Sequence, residues 1–151
     1  MTALLRPVRT EEMLAIADLW FASARVAHPY LPMLKALDSA QAREVFTRHV
    51  MPGLEIVVAE ADGKLAGFLG MDGCCLDRLY IVPAAQGQGV GSQLLDAAKR
   101  RCPEGLELFT HQKNARARRF YEARGFRAVR FGISGPPESE PDVCYRWSPA
   151  S

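Results

Sequence analysis

The sequence predicts a mixed α/β (α+β) fold: a central mixed, mostly antiparallel sheet flanked by helices, in the order βααβββαβαββ. Two observations give the class and a third the number of domains. From Leu54 to Val82 the helical period gives way to three short, largely apolar stretches separated by Asp62-Gly63 and Asp72-Gly73, the pattern of successive antiparallel strands joined by tight turns. Before that stretch apolar residues recur at helical spacing, and after it short strand patterns alternate with helical ones. The 151 residues, 48% hydrophobic, suffice for one core that buries roughly 68–70% of the unfolded surface. With neither repeat nor linker in view, residues 1–151 read as a single domain.

Leu4 to Val8 is the first strand. Thr10 opens the first helix with a capping hydroxyl, Glu11 and Glu12 suit the positive end of the dipole, and Ile16, Leu19, Trp20 and Ser23 share a face. The helix runs to about Arg25 and breaks in His28-Pro29-Tyr30-Leu31-Pro32, because a residue before proline avoids helical dihedrals. Asp38, with Gln41 as capping-box partner, starts a second helix whose apolar face is Ala42, Val45, Phe46, His49 and Val50. His49 reads there as a core histidine, and Pro52-Gly53 ends the helix. The meander follows as Leu54 to Glu60, Lys64 to Met71 and Cys74 to Val82. A helix from about Ser92 to Arg101, with Leu94, Leu95 and Ala98 inward, closes at Pro103-Glu104-Gly105. Leu106 to Thr110 is a short strand, Asn114 to Arg124 a helix stopped by Gly125, and Phe126 to Phe131 another strand. Gly132 to Asp142, with three prolines and two glycines, is a loop before the last strand, Val143 to Trp147.

No run of about 18 apolar residues exists, and Met1 to Thr10 holds no apolar leader core, so the expectation is a cytoplasmic protein without a membrane partner. A net charge of +2 argues against nucleic acid as a partner. Cys74 and Cys75 adjoin while Cys102 and Cys144 stand apart, which is no metal-ligand pattern. Four plain buried thiols are expected, with neither metal nor disulfide needed for stability.

Gln86-Gly87-Gln88-Gly89-Val90-Gly91 lies between a strand and a helix, where backbone N–H groups and the helix dipole converge on an anion. The turn lacks the lysine of a Walker loop, and Ser92 stands where a dinucleotide fingerprint has its third glycine. Gln86-x-x-Gly89-x-Gly91 resembles the acyl-CoA pyrophosphate loop of the GCN5-related N-acetyltransferases (GNAT). Asn114, Ala117, Phe120, Tyr121, Gly125 and Phe126 match that family's N-x-x-A-x-x-F-Y-x-x-x-G-F signature, and with the strand Leu79-Tyr80-Ile81 the resemblance covers about Leu54 to Phe131. It implies a GNAT-like fold and acetyl-CoA as co-substrate. Position by position, Leu79, Tyr80 and Ile81 would offer backbone groups to the pantetheine arm. Gly87, Gln88, Gly89, Val90, Gly91 and Ser92, next to Gln86, would wrap the pyrophosphate. Asn114 would hold the pantetheine from the opposite side, Phe120 joins the cofactor set, and Tyr121 would face the thioester sulfur.

The implied reaction is attack of a neutral amine on the acetyl thioester, through a tetrahedral oxyanion that collapses to an amide and the CoA thiolate. The backbone N–H of Ile81 is the expected oxyanion donor, and Tyr121 the general acid for the thiolate. A lysine ammonium, with pKa about 10.4, is almost all protonated at pH 7, whereas an α-amine at about 7.7–8.0 is partly neutral, so the first needs a base more. Candidates are His111, on a strand face with Glu107 and Phe109; His28, in the proline-flanked loop; Asp77, on a face with Leu79 and Ile81, or Glu107; or water-relayed removal without a dedicated residue. Arg116, Arg118, Arg119 and Arg124 read as a solvated helix face, with contact to the adenosine phosphate or an acidic substrate as the alternative. The loops His28 to Leu37 and Gly132 to Asp142 are expected to choose the acceptor, and Glu138, Glu140 and Asp142 suit a cationic amine. The competing reading is a regulatory module that binds acyl-CoA without turnover, and Tyr121 argues against it. The expected acceptor is a small-molecule or peptide amine, and the expected protein a monomer or homodimer.

Overall fold

The computed structural model describes residues 2–135 and 138–149. Its elements are β1 (Leu4–Pro7), α1 (Met13–Ala27), α2 (Pro32–Ala36), α3 (Ser39–Val45), β2 (Glu55–Ala61), β3 (Lys64–Asp72), β4 (Cys75–Ile81), α4 (Val90–Arg101), β5 (Leu106–His111), α5 (Ala115–Glu122), β6 (Arg127–Ile133) and β7 (Pro141–Trp147). The strands form one mixed sheet in the order β1-β2-β3-β4-β5-β7-β6, antiparallel except where β4 meets β5. The α4 crossover sets that parallel pair, as a strand-helix-strand connection requires.

Alternation along the strands divides the core between two faces. Val57, Ala59, Leu69 and Leu76 pack with Leu94, Leu95 and Ala98 of α4 on one side. Ile56, Val58 and Phe68 pack with Ile16, Trp20, Ala42 and Phe46 of α1 and α3 on the other. Leu94, Leu95 and Ala98 are fully buried, as their spacing predicts. The capping box of α3 is also present: Asp38 Oδ1 accepts from Gln41 N at 2.8 Å, and Asp38 N donates to Gln41 Oε1 at 2.9 Å. No helix among the described residues is long and apolar enough to cross a membrane.

The structure corrects several expectations. An extra helix, α2, occupies part of the expected loop, because Pro32 at its first turn is already in helical φ and leaves no N–H unpaired. The loop between β6 and β7 is shorter than expected, with β6 reaching Ile133 and β7 starting at Pro141; Pro136 and Pro137 lie outside the described residues. After α3 the chain widens into a π turn, Phe46–Val50, closed by Met51 N to Phe46 O at 2.8 Å. The wider turn shifts the helical phase, so Phe46 keeps its core place while His49 rotates into solvent. The four expected thiols are two: Cys75 and Cys144 are free, whereas Cys74 and Cys102 form a disulfide. The end of α4 packs beside the β3–β4 turn and brings Cα atoms 28 positions apart to 5.8 Å, within bridging range.

Candidate active site

The sheet opens at the point where β4 carries an extra residue. Met71 of β3 pairs with Leu76 while its neighbour Gly70 pairs with Arg78, so Asp77 bulges out of the ladder. The bulge reverses the alternation: Leu76, and not Asp77, shares the α4 face with Leu79 and Ile81, and Asp77 is exposed, contrary to the simple two-residue period. It also bends the strand. β4 pairs with β5 only at Cys75 and Leu76, just before the bulge, although both strands continue. Beyond it, Leu79 to Ile81 have β3 on one side and an open wedge on the other. Val82 N donates to Ala66 O at 2.9 Å, and antiparallel alternation then turns Tyr80's backbone toward β3 and the backbones of Leu79 and Ile81 toward the wedge. Gln86 Nε2 donates to Ile81 O at 3.1 Å, consistent with that orientation.

At the mouth of the wedge, α4 begins at the glycine turn. Gly87 and Gly89 hold φ of +78° and +84°, in the left-handed region that glycine enters at least cost, and Gly89 caps the helix. The first intrahelical bond is Gln93 N to Gly89 O at 3.0 Å, so the N–H groups of Val90, Gly91 and Ser92 point out of the helix end without helical partners. A Cβ at Gly91 would lie 3.3 Å from Phe120 Cζ, which explains the third glycine as a close approach of α4 to α5. Arg124 stacks on Phe120 with its guanidinium 3.9 Å from the ring centroid and donates to Ser92 Oγ at 2.8 and 3.0 Å. Of the four arginines, Arg119 fits the solvated-face reading; Arg116, though exposed, and Arg124 line the cleft that passes the glycine turn, and Arg118 donates to Tyr145 Oη at 3.0 Å.

Two clefts meet at the wedge. One, of about 560 Å³, runs along Leu79, Ile81, Gln86, Gly89 and Phe120. The other, of about 530 Å³, lies toward α1 and α2 and holds His28, Asp77, His111, Glu138 and Asp142. Tyr80, Asn114 and Tyr121 line both. Asn114 Oδ1 caps α5 by accepting from Ala117 N at 3.1 Å, which leaves its amide N–H groups for the clefts. Tyr121 is buried against Phe126 and Tyr145, and burial, aided by neighbouring Tyr80, raises its pKa, so the phenol keeps its proton at neutral pH. The long, open first cleft, ended by N–H groups and Arg124, suits a flexible chain that terminates in phosphates.

The structure brings His28 and His111 together, with ring centroids 4.7 Å apart. Tyr30 Oη bonds both: 3.1 Å from His28 Nδ1 and 2.8 Å from His111 Nδ1. His28 Nε2 lies 3.3 Å from Tyr80 Oη, and His111 Nε2 lies 3.0 Å from Glu138 Oε2. Burial, reinforced by His111, pushes His28 down to about 4. The hydrogen bond from His111 holds Glu138 below the usual carboxylate range. Of the other base candidates, Asp77 lies in the same cleft but beside Arg78, and Glu107 is held by Arg146 at 2.8 Å. Tyr30 is a residue that sequence reasoning missed; its only sequence signal is a place between two prolines in a loop expected to choose the acceptor. Ser23 was noted only for its helical face. Its Oγ is buried in the wall of the first cleft with no partner among the described residues.

Comparison with known proteins agrees with this geometry. Peptidyl-lysine N-acetyltransferase YiaC of Escherichia coli K12 is 32% identical over 127 residues, which are 83% of this chain and 84% of that protein. The solution structure of apo YjaB from Escherichia coli superposes with a TM-score of 0.82 at 24% identity, covering 99% of this chain and all of that one. YncA of Salmonella typhimurium, solved with its cofactor acetyl-CoA, superposes with a TM-score of 0.66 at 18% identity, covering 100% of this chain and 96% of that one. The acetyltransferase (GNAT) domain matches residues 52–128, the stretch that holds the bulged strand, the glycine turn and the α5 signature, and the chain belongs to the GNAT family of N-acetyltransferases.

Proposed function

We propose that this chain is a single N-acetyltransferase domain that transfers the acetyl group of acetyl-CoA directly to a primary amine of a small molecule or peptide. The observation that carries the proposal is the meeting of two clefts at Tyr80 and Tyr121, in a wedge where one strand edge is unpaired. When bound, acetyl-CoA supplies an electrophilic thioester carbonyl. The N–H groups of Val90 to Ser92 hold its pyrophosphate, and the open edge of Leu79 and Ile81 holds the pantetheine as an added strand, with Asn114 opposite. In this reading the Ile81 N–H donates to the oxyanion of the tetrahedral adduct, and the Tyr121 phenol gives the thiolate its proton. His28 and His111 line the second cleft, where the amine enters, and serve its deprotonation. Asp77, Glu138 and Asp142 give this cleft a negative rim suited to an ammonium, in keeping with a relative named a peptidyl-lysine N-acetyltransferase.

The test is release of CoA thiol from acetyl-CoA with a panel of amines, followed with a thiol reagent. Tyr121→Phe keeps the ring's packing and removes the proton donor. Its kcat is expected to fall by about 10²-fold, the low end of general acid catalysis because a thiolate is a good leaving group, with KM for acetyl-CoA nearly unchanged. A protein that binds CoA and releases no thiol with any amine is a binding module, and the proposal falls.

A further inference from the structure

We propose that Tyr30 joins His28 and His111 into a proton relay that runs from Tyr80 at the wedge to Glu138 at the rim, and that this relay deprotonates alkylammonium acceptors. The inference rests on the acetyl-transfer reading and deepens it. It assigns a role to Tyr30, which is a positioning residue: it touches neither co-substrate nor acceptor, and acts through the two imidazoles.

The argument is one of hydrogen-bond polarity. Five groups stand in single file: Tyr80 Oη, His28, Tyr30 Oη, His111 and Glu138, with links of 3.3, 3.1, 2.8 and 3.0 Å. A carboxylate only accepts, so His111 Nε2 carries the hydrogen toward Glu138. In a neutral imidazole Nδ1 then accepts, and the donor is Tyr30. Tyr30 Oη in turn accepts from His28 Nδ1–H, which leaves His28 Nε2 as the acceptor for Tyr80. One charge at the outer end thus fixes four donors in the same direction, leaving no member with two donors facing each other. A proton arriving at Tyr80 Oη moves the row by one step: Tyr80 passes its hydrogen to His28 Nε2, His28 passes Nδ1–H to Tyr30, Tyr30 passes its own to His111 Nδ1. The row then ends as an imidazolium beside a carboxylate, and Glu138 is exposed enough, at 32%, to return that proton to water.

The surroundings favour this direction. Charged groups facing the row are Arg78, Lys113, Glu138 and Glu140; Asp77 and Asp142 line the same cleft. Burial, then the neighbouring His111 and to a lesser degree Arg78, keep the inner imidazole, His28, neutral, so it hands charge on and does not retain it, whereas the carboxylate stands at the outer one. The balance closes. An ammonium and acetyl-CoA give an amide, CoA thiol and one proton: the N–C bond forms, the C–S pair goes to sulfur, one acceptor proton leaves through the row, and a second replaces the proton that Tyr121 lends to the thiolate.

The test uses Tyr30→Phe, which keeps the ring and removes both links, together with Glu138→Gln, which keeps an acceptor for His111 Nε2 and removes the charge. Probes are a lysine peptide blocked at its N-terminus, a lysine-free peptide with a free N-terminus, and small amines of graded pKa, each with acetyl-CoA. At pH 7 both variants are expected to lose about 10²-fold in kcat/KM toward alkylammonium acceptors, the low end of acid–base catalysis. Toward the α-amine, partly neutral at about 7.7–8.0, the loss in Tyr30→Phe is expected to stay within about threefold. The alkylamine defect is expected to shrink as pH rises toward about 10, with KM for acetyl-CoA unchanged. A defect equal at every pH and for every amine, or none at all, overturns the relay while wild-type turnover leaves the acetyltransferase reading standing. A wild-type protein without turnover on any probe overturns both. If Tyr30→Phe does not fold, Glu138→Gln decides by the pH profile of kcat at saturating amine, which loss of a rim charge that only binds the ammonium does not move: a kcat equal to wild type at pH 7 overturns the relay.

Discussion

Gly67 of β3 gives the most direct test of how the wedge is built. It sits opposite Ile81, and a Cβ built on it would lie 2.7 Å from Tyr80 O and 2.7 Å from Ile81 Cδ1. The isoleucine methyl can rotate away. The carbonyl belongs to the strand backbone and can recede only if β4 moves by about 0.7 Å to reach an ordinary contact of 3.4 Å. Gly67→Ala is therefore expected to destabilise by about 1–3 kcal/mol, as overpacking does, which for a chain of this length lowers Tm by roughly 2–12 °C. The same movement displaces the Leu79–Ile81 edge, so KM for acetyl-CoA is expected to rise. Gly132 in β6 is the control: its added Cβ would meet Asp142 Oδ1 at 3.5 Å, an ordinary contact, and its φ is not positive. Gly132→Ala is expected to be neutral or to stabilise by up to about 1 kcal/mol, because glycine weakens a strand. Calorimetric melting of both variants checks the pair. A Gly67→Ala protein that melts with the wild type, or a Gly132→Ala protein that melts lower than Gly67→Ala, refutes the close-approach argument.

Other expectations follow from the same geometry. Gly89→Glu puts a side chain at a φ of +84° and a carboxylate in the anion cradle; titration calorimetry is expected to show CoA affinity lost in a folded protein. His28, ordinarily near 6.5, is held down to about 4, so the unfolded chain takes up its proton first as pH falls. Stability is then full above about pH 6.5 and declines toward pH 4, by about 3 kcal/mol at 1.36 kcal/mol per unit; His28→Gln is expected to flatten that limb in urea unfolding. Reduction of Cys74–Cys102, which closes a 28-residue separation, is expected to cost about 3–4 kcal/mol of stability by restoring freedom to the unfolded chain, read as a lower Tm in reductant that Cys74→Ser reproduces.

Local chemistry made much of this protein legible before any coordinates. The hairpin turns at Asp62-Gly63 and Asp72-Gly73, the Asp38–Gln41 box, the inward stripe of α4 and the glycine turn depend on residues within a few positions of each other, and all stand in the structure. The signature from Asn114 to Phe126 was legible because one helix and its caps carry it. Tyr121, Asn114, Leu79 and the glycines accordingly fall around one wedge.

What the sequence by itself determined, then, is what short-range rules govern: most element types, turn chemistry, and the glycine turn that opens α4. Tertiary structure decided the rest because the deciding distances span dozens of residues. The Asp77 bulge is an offset between two strands, visible only in their register; it reverses the faces of β4 at the point where pairing with β5 ends. The π turn that expels His49 changes a phase by one residue, which no apolar count detects. Cys74 meets Cys102 because α4 returns along the sheet. His28 and His111, weighed in sequence as rivals for one role, are 83 positions apart, and only packing places Tyr30 between them and joins the rivals into one row.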